Sequence, residues 1–124
     1  MAKGRSVVFD TNVLIYFFSG NANAGEAVRQ YNTVISSITT IELLSGKKQT
    51  PKERELIRDF LEGVTPFQTT PLISELAIKF RLSYNLIVTD AIIAATAKYL
   101  DTPLITSDAA FFKIKEIEII PFTK

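Results

Sequence analysis

The sequence predicts an α/β fold, with a mostly parallel sheet and helices on both of its faces. Three observations predict it. Short β-branched runs alternate along the chain with helical stripes, the order that builds parallel strands joined by crossover helices. The 124 residues are 47% apolar and 22% charged, enough to fill one core, so a single domain over residues 1–124 is expected. The stretch Thr89–Leu100 is apolar nearly all round and rich in alanine, as suits a buried helix lying close against a sheet.

The elements follow in order. Ser6–Phe9 is a β-branched and aromatic run that stops at Asp10 and reads as a buried strand. Asn12–Phe18 is apolar and short, compatible with a helix, and Ser19-Gly20-Asn21 breaks it. Ala24, Ala27, Val28 and Tyr31 mark one helical face. Thr33–Ser36 reads as a second strand, and Thr39–Leu44 as a helix stopped near Gly46. Thr50-Pro51-Lys52-Glu53 is a capping box with proline at the first helical position; its helix carries Leu56, Ile57, Phe60 and Leu61 and ends at Gly63. Val64–Phe67 is expected to be a third strand. Thr70-Pro71 opens a helix with the stripe Leu72, Ile73, Leu76, Ala77 and Phe80. Pro103–Thr106 and Ile117–Ile120 complete an expected set of five strands.

Composition excludes several chemistries. There is no cysteine and no histidine, so thiol nucleophiles, zinc–thiolate sites, imidazole bases and the usual triads are out. The lack of cysteine fits a reducing cytoplasm. The balance of 14 Lys+Arg against 13 Asp+Glu argues against binding nucleic acid over the whole surface and leaves room for a local basic patch. The opening Met-Ala-Lys-Gly-Arg, with a short apolar run and then Asp10, reads as neither signal peptide nor membrane span.

Four acids adjoin apolar elements: Asp10, Glu42, Asp90 and Asp108. Each has an ordinary structural explanation. Asp10 and Asp108 follow strands, where Asp is common as a turn or cap residue. Glu42 lies three residues after Thr39, the spacing of a capping box. Asp90 lies in the first turn of a helix, where a negative charge meets the helix dipole. The joint reading is stronger. In a parallel sheet, two strand ends and two helix starts that follow strands share one edge, and ligands bind beyond that edge. Four negative charges gathered there must take up protons or cations. An all-oxygen donor set suits Mg²⁺ or Mn²⁺, and a carboxylate–metal centre suits phosphodiester hydrolysis. Thr11, Asn12, Ser37, Thr106 and Ser107 stand beside the acids and could orient waters or ligands.

Four segments then carry a family resemblance: Val8-Phe9-Asp10-Thr11-Asn12-Val13-Leu14-Ile15, Ile41-Glu42-Leu43-Leu44-Ser45-Gly46, Thr89-Asp90-Ala91-Ile92-Ile93-Ala94-Ala95-Thr96-Ala97, and Leu104-Ile105-Thr106-Ser107-Asp108 with Phe111. In this order, across nearly the whole chain, they resemble PIN-domain ribonucleases, most closely the VapC toxins of VapBC modules. The resemblance implies an α/β/α sandwich around a five-stranded parallel sheet and Mg²⁺- or Mn²⁺-dependent cleavage of RNA to a 5′-phosphate and a 3′-hydroxyl. It implies that Asp10, Glu42, Asp90 and Asp108 are the metal-holding and catalytic quartet, with Asn12 and Thr106 as polar support. It also implies a homodimer, a VapB-like antitoxin whose tail enters the groove, and operator DNA bound only through that antitoxin. The chain departs from its relatives in an abbreviated segment between Phe18 and Thr33 and in lacking the glycine often found between Arg81 and Asp90.

Basic side chains at Lys47, Lys48 and Arg81 are the candidates for holding RNA phosphates, against the ordinary alternative of a solvated surface. The aromatic run Leu14–Phe18 is expected to be core first and a partner surface second. Other readings are a PIN nuclease of RNA processing outside a toxin module, or a metal-dependent phosphohydrolase that is not a nuclease. A phosphoacceptor receiver fails for want of an acidic pair after the first strand and an Asp after Val64–Phe67. A haloacid-dehalogenase-type phosphatase would need Asp where Asn12 stands. A PIN-like module without catalysis would not need all four acids.

Overall fold

The computed structural model describes residues 4–124; Met1–Lys3, part of the stretch read as no signal peptide, lie outside the described residues. Four strands of the described residues form one sheet: β1 (Ser6–Phe9), β2 (Asn32–Val34), β3 (Leu104–Thr106) and β4 (Ile119–Pro121), in the order β2-β1-β3-β4. Every pairing is parallel, with Val8 opposite Val34 on one side and opposite Leu104 on the other. Among the described residues seven helices connect them: α1 (Thr11–Phe18), α2 (Ala22–Gln30), α3 (Ser37–Leu44), α4 (Pro51–Glu62), α5 (Pro71–Tyr84), α6 (Val88–Leu100) and α7 (Ala109–Phe112). The α/β architecture expected from the sequence, a parallel sheet with helices on both faces, is present.

Alternation along the strands builds two cores. Val8 and Leu104 point to one face and pack with Ile73, Phe80, Ala94 and Phe111 from α5, α6 and α7. Val7, Phe9 and Ile105 point to the other and pack with Leu14, Ala27, Leu43 and Ile57 from α1 to α4. A sheet buried on both faces reads as near-continuous apolar runs, and Val7-Val8-Phe9 of β1 and Leu104-Ile105 of β3 are such runs. The alanine-rich α6 buries Ala91, Ala94, Ala95 and Ala97, and its Thr96 hydroxyl satisfies itself on Ile92 O at 2.7 Å.

The expected fifth strand is the main difference. Val64–Phe67 contributes a single parallel bridge between Ser36 and Phe67, with Phe67 N–H donating to Ile35 O and Ser37 N–H to Phe67 O. Pro66 lacks an N–H and cannot extend the ladder. The short α7 was not expected from the sequence. The missing glycine costs nothing, because Asn85 takes the left-handed position after α5 at φ 56°, a conformation Asn tolerates. The capping box of α4 forms in full, Thr50 Oγ1 accepting from Glu53 N–H at 3.1 Å. Among the described residues no helix is long and apolar enough to cross a membrane.

Candidate active site

The chain leaves β1 toward β2 on one side and reaches β3 on the other, so the order reverses between β1 and β3. The crevice beyond strand ends at such a reversal is where open α/β sheets take ligands. Asp10 follows β1 there and is 4% exposed. It occupies the N-cap position of α1 without a side-chain cap bond. Its carboxylate engages β3 instead, accepting from Thr106 Oγ1 at 2.7 Å. Thr106 Oγ1 accepts in turn from Asp108 N–H at 3.0 Å. Asp108 caps α7, its Oδ1 accepting from Ala110 N–H at 2.9 Å, so the ordinary explanation accounts for one of its two oxygens.

Glu42 is held differently from the expectation of a Thr39 cap. Ser36 is the N-cap of α3, and Thr39 sits inside the helix. Thr11 Oγ1 donates to Glu42 Oε1 at 2.6 Å. The buried hydroxyls of Thr11 and Thr39 are 3.0 Å apart. A hydroxyl has one proton to give, and Thr11 gives it to a group that can only accept, so Thr39 donates to Thr11. Three side chains from α1 and α3 thus form a short directed chain ending on a carboxylate. Thr11 stood among the candidate supports, but Thr39's part in it was missed. Its signal was a hydroxyl at an apolar helix's buried position, which needs a partner.

Asp90 lies half-buried in the first turn of α6. Burial raises its pKa from 3.8 to about 6, and Asp10, Asp108 and Glu42 each add to the rise. Asp10 also reaches about 6. Burial is the main cause, opposed by the Thr106 hydrogen bond; Asp108 raises it further, the Thr11 backbone amide lowers it, and Glu42 raises it. Asp90 therefore feels the other three acids, and Asp10 feels Asp108 and Glu42. No cation offsets them: the two ion pairs among the described residues, Arg5–Glu118 and Arg29–Glu26, lie elsewhere.

The donor set fits a hard divalent cation in chemistry: oxygen only, negative, and with two carboxyls pushed toward neutrality by burial and by each other. The side chains are not closed around a point. Among the described residues no three acidic groups stand close enough to ligate one ion in this conformation. The four acids share one edge of the sheet and one electrostatic environment rather than a finished cage.

The remaining candidates divide. Lys47 and Lys48 are exposed and line, with Glu42, a cavity of about 300 Å³ between α1, α3 and α4. Arg81 is exposed near the end of α5, where its Nε donates to Leu86 O at 3.0 Å; it borders a separate hollow with Ile78, Leu82 and Asn85. Asn12 is exposed on the first turn of α1, and among the described residues no hydrogen bond ties it to the acids. The aromatic run splits as well: Leu14 is fully buried, while Tyr16, Phe17 and Phe18 are half-buried. Phe17 and Phe18 pack on Phe60 at 5.6 and 5.4 Å between ring centres.

Residues 7–117 match the PIN domain family. No curated protein matches the chain in sequence. Among solved structures it is similar to a chain of a toxin–antitoxin complex from Klebsiella pneumoniae, with 32% identity, a TM-score of 0.82, and 93% of this chain and 96% of that one covered. It is similar to a chain of VapBC-1 from nontypeable Haemophilus influenzae, with 25% identity, a TM-score of 0.78, and coverage of 95% and 98%. A chain of VapBC2 from Rickettsia felis, bound to a DNA fragment from its promoter, shares the fold at 17% identity, a TM-score of 0.80, and coverage of 94% and 98%. The chain belongs to the PIN domain family, and the VapC-type resemblance carried by its motifs extends across the fold.

Proposed function

We propose that residues 1–124 form one PIN unit acting as a metal-dependent endoribonuclease, the toxin of a toxin–antitoxin pair. The observation that carries this reading is the edge of acids without an ion-paired cation among the described residues: Asp10, Glu42, Asp90 and Asp108 come from four separate segments, and the proton affinities of Asp10 and Asp90 are raised by burial and by the neighbouring acids. Such an arrangement costs stability and is worth keeping only for a ligand of opposite charge. Membership in a nuclease family supports hydrolysis of a phosphodiester bond. The similar chains come from toxin–antitoxin complexes, which supports an antitoxin partner for this chain and operator DNA bound through that partner. A homodimer and a cytoplasmic location complete the proposal.

Asp10, Glu42, Asp90 and Asp108 would hold Mg²⁺ or Mn²⁺. When bound, such an ion neutralises phosphate charge and lowers the pKa of a water. The chain's own groups prepare the edge. Thr106 fixes the Asp10 carboxylate through Oδ2, and the Thr11 backbone amide also favours its charged form. The Thr39–Thr11 pair fixes Glu42 in the same manner. Ala110 N–H fixes Asp108. The Asp90 carboxylate has no hydrogen-bond partner among the described residues and is the acid freest to turn toward the others. Lys47 and Lys48 beside Glu42 attract RNA phosphates, with Asn12 and Arg81 as further contacts.

The test is incubation of the purified chain with end-labelled RNA, with Mn²⁺ and with EDTA. The reading expects internal cleavage only with Mn²⁺, giving 5′-phosphate ends, and none from Asp10→Asn. Cleavage in EDTA, or by the variant at the wild-type rate, overturns it.

A further inference from the structure

We propose that the outer face of α5 is the homodimer interface, and that two copies of this helix pack antiparallel about a two-fold axis level with Ala77. This rests on the homodimer named above and assigns its surface. One stripe of α5 is already covered: Ile73, Ala77 and Phe80 pack into the core with α6. Leu72 belonged to the expected core stripe, yet it is 58% exposed, as is Ile78, and Leu82 is 83% exposed. At about 100° per residue these three fall on the side of the helix away from the core, with Glu75 and Lys79 between them, also exposed. A helix that is apolar on two sides and covered on one has a face left for a partner.

The order of the exposed residues selects a second copy of this chain. Leu72, Glu75, Lys79 and Leu82 are separated by three, four and three residues, the spacing of a seam between two packed helices. Reversing that order exchanges Leu for Leu and Glu for Lys. An antiparallel pair centred on residue 77 therefore sets Leu72 on the partner's Leu82 at both ends, and Glu75 on the partner's Lys79 twice between them. A two-fold contact needs this kind of self-complementarity. A parallel pair would set Glu75 on the partner's Glu75 and Lys79 on the partner's Lys79, so charge fixes the orientation. Among the described residues neither Glu75 nor Lys79 makes an ion pair within the chain, so both are available to pair across the axis. A partner of unrelated sequence would need the apolar residues only and would have no use for the mirrored charges.

The experiment is analytical ultracentrifugation of the full chain over a concentration series. The wild type should be a dimer. Glu75→Lys and Lys79→Glu should each weaken it about a hundredfold, because each sets like charges opposite one another at two places. Glu and Lys have similar helix propensities, so the circular dichroism of both variants should match the wild type. An equimolar mixture of the two variants should dimerise, and so should Glu75→Lys/Lys79→Glu, because opposite charges face each other again. The chain has no cysteine, so Leu72→Cys/Leu82→Cys reports orientation. Its two thiols stand about 15 Å apart on one helix and can bond only between copies. Mild oxidation should link this variant and leave Leu72→Cys alone unlinked. A dimer untouched by the charge reversals, one that mixing fails to restore, or a link through Leu72→Cys alone would overturn this surface and leave the homodimer standing. A wild-type chain that stays monomeric at high micromolar concentration would overturn both, and the stripe would then belong to a different partner. RNA cleavage assayed on the same samples tells either failure apart from failure of the nuclease reading.

Discussion

The two ends of the sheet treat charge in opposite ways. At the amino end, Arg5 and Glu118 stand just before β1 and β4 and form an exposed pair at 2.8 Å. Both are more than half exposed, so each is solvated with or without the other. At the carboxyl end, Asp10 and Asp90 are drawn out of water among other acids and are pushed to about 6. Hydroxyls and a backbone amide hold Asp10, Glu42 and Asp108, and among the described residues no ion pair does. The amino end follows what folding favours. The carboxyl end departs from it, and such departures concentrate where a ligand will bind.

The sharpest way to break this contrast is to remove one buried charge. Asp10→Asn keeps an acceptor for Thr106 and should lower metal-dependent RNA cleavage by about a thousandfold or more, measured as single-turnover rates. The same variant should be more stable than the wild type without metal at pH 7.5. The folded pKa lies above the unfolded one, so the penalty is absent below about pH 4, builds as pH rises to about 6, and is complete above it. A shift from 3.8 to about 6 corresponds to about 3 kcal/mol. Urea melts of both proteins from pH 4 to 8 should show a gap that opens with pH.

Adding the missing charge should act in the same direction. Mg²⁺ or Mn²⁺ should raise the wild-type Tm at pH 7.5 by roughly 5 °C at saturation. The gain should fade as pH falls from 6 to 4 and be largely lost in Asp10→Asn. Thr11→Val should have a smaller effect. It strips Glu42 of its donor and leaves the Thr39 hydroxyl without an acceptor, which should cost about 1–2 kcal/mol in denaturant melts and about 10- to 100-fold in metal affinity. Arg5→Ala, at the other end, should change stability by no more than about 0.5 kcal/mol and leave cleavage unchanged.

Elements specified by local chemistry were legible in the sequence. The run ending at Asp10, the Thr50–Glu53 box and the alanine-rich α6 each declare themselves within a few residues, and each formed as expected. The edge that carries Asp10 and Asp108 was legible too, because parallel topology places the ends of β1 and β3 together. What was not legible depends on contacts distant in sequence. Thr39 looked like a cap for Glu42, yet Ser36 took that role and Thr39 met Thr11, 28 residues away. Val64–Phe67 has strand composition, but Pro66 limits it to one bridge. Gln49 folds back over Gly46 to reach Leu43 O, a contact that no periodicity encodes.

The central claim is that Asp10 and Asp90 form part of an edge held at a cost for a divalent cation. Carboxyl ¹³C NMR of both side chains, titrated with pH in EDTA and again in Mg²⁺, reads this directly. The account predicts midpoints near pH 6 without the ion and a fall of both below the ordinary aspartate range with it. Midpoints near 4 in EDTA that Mg²⁺ does not move would contradict it.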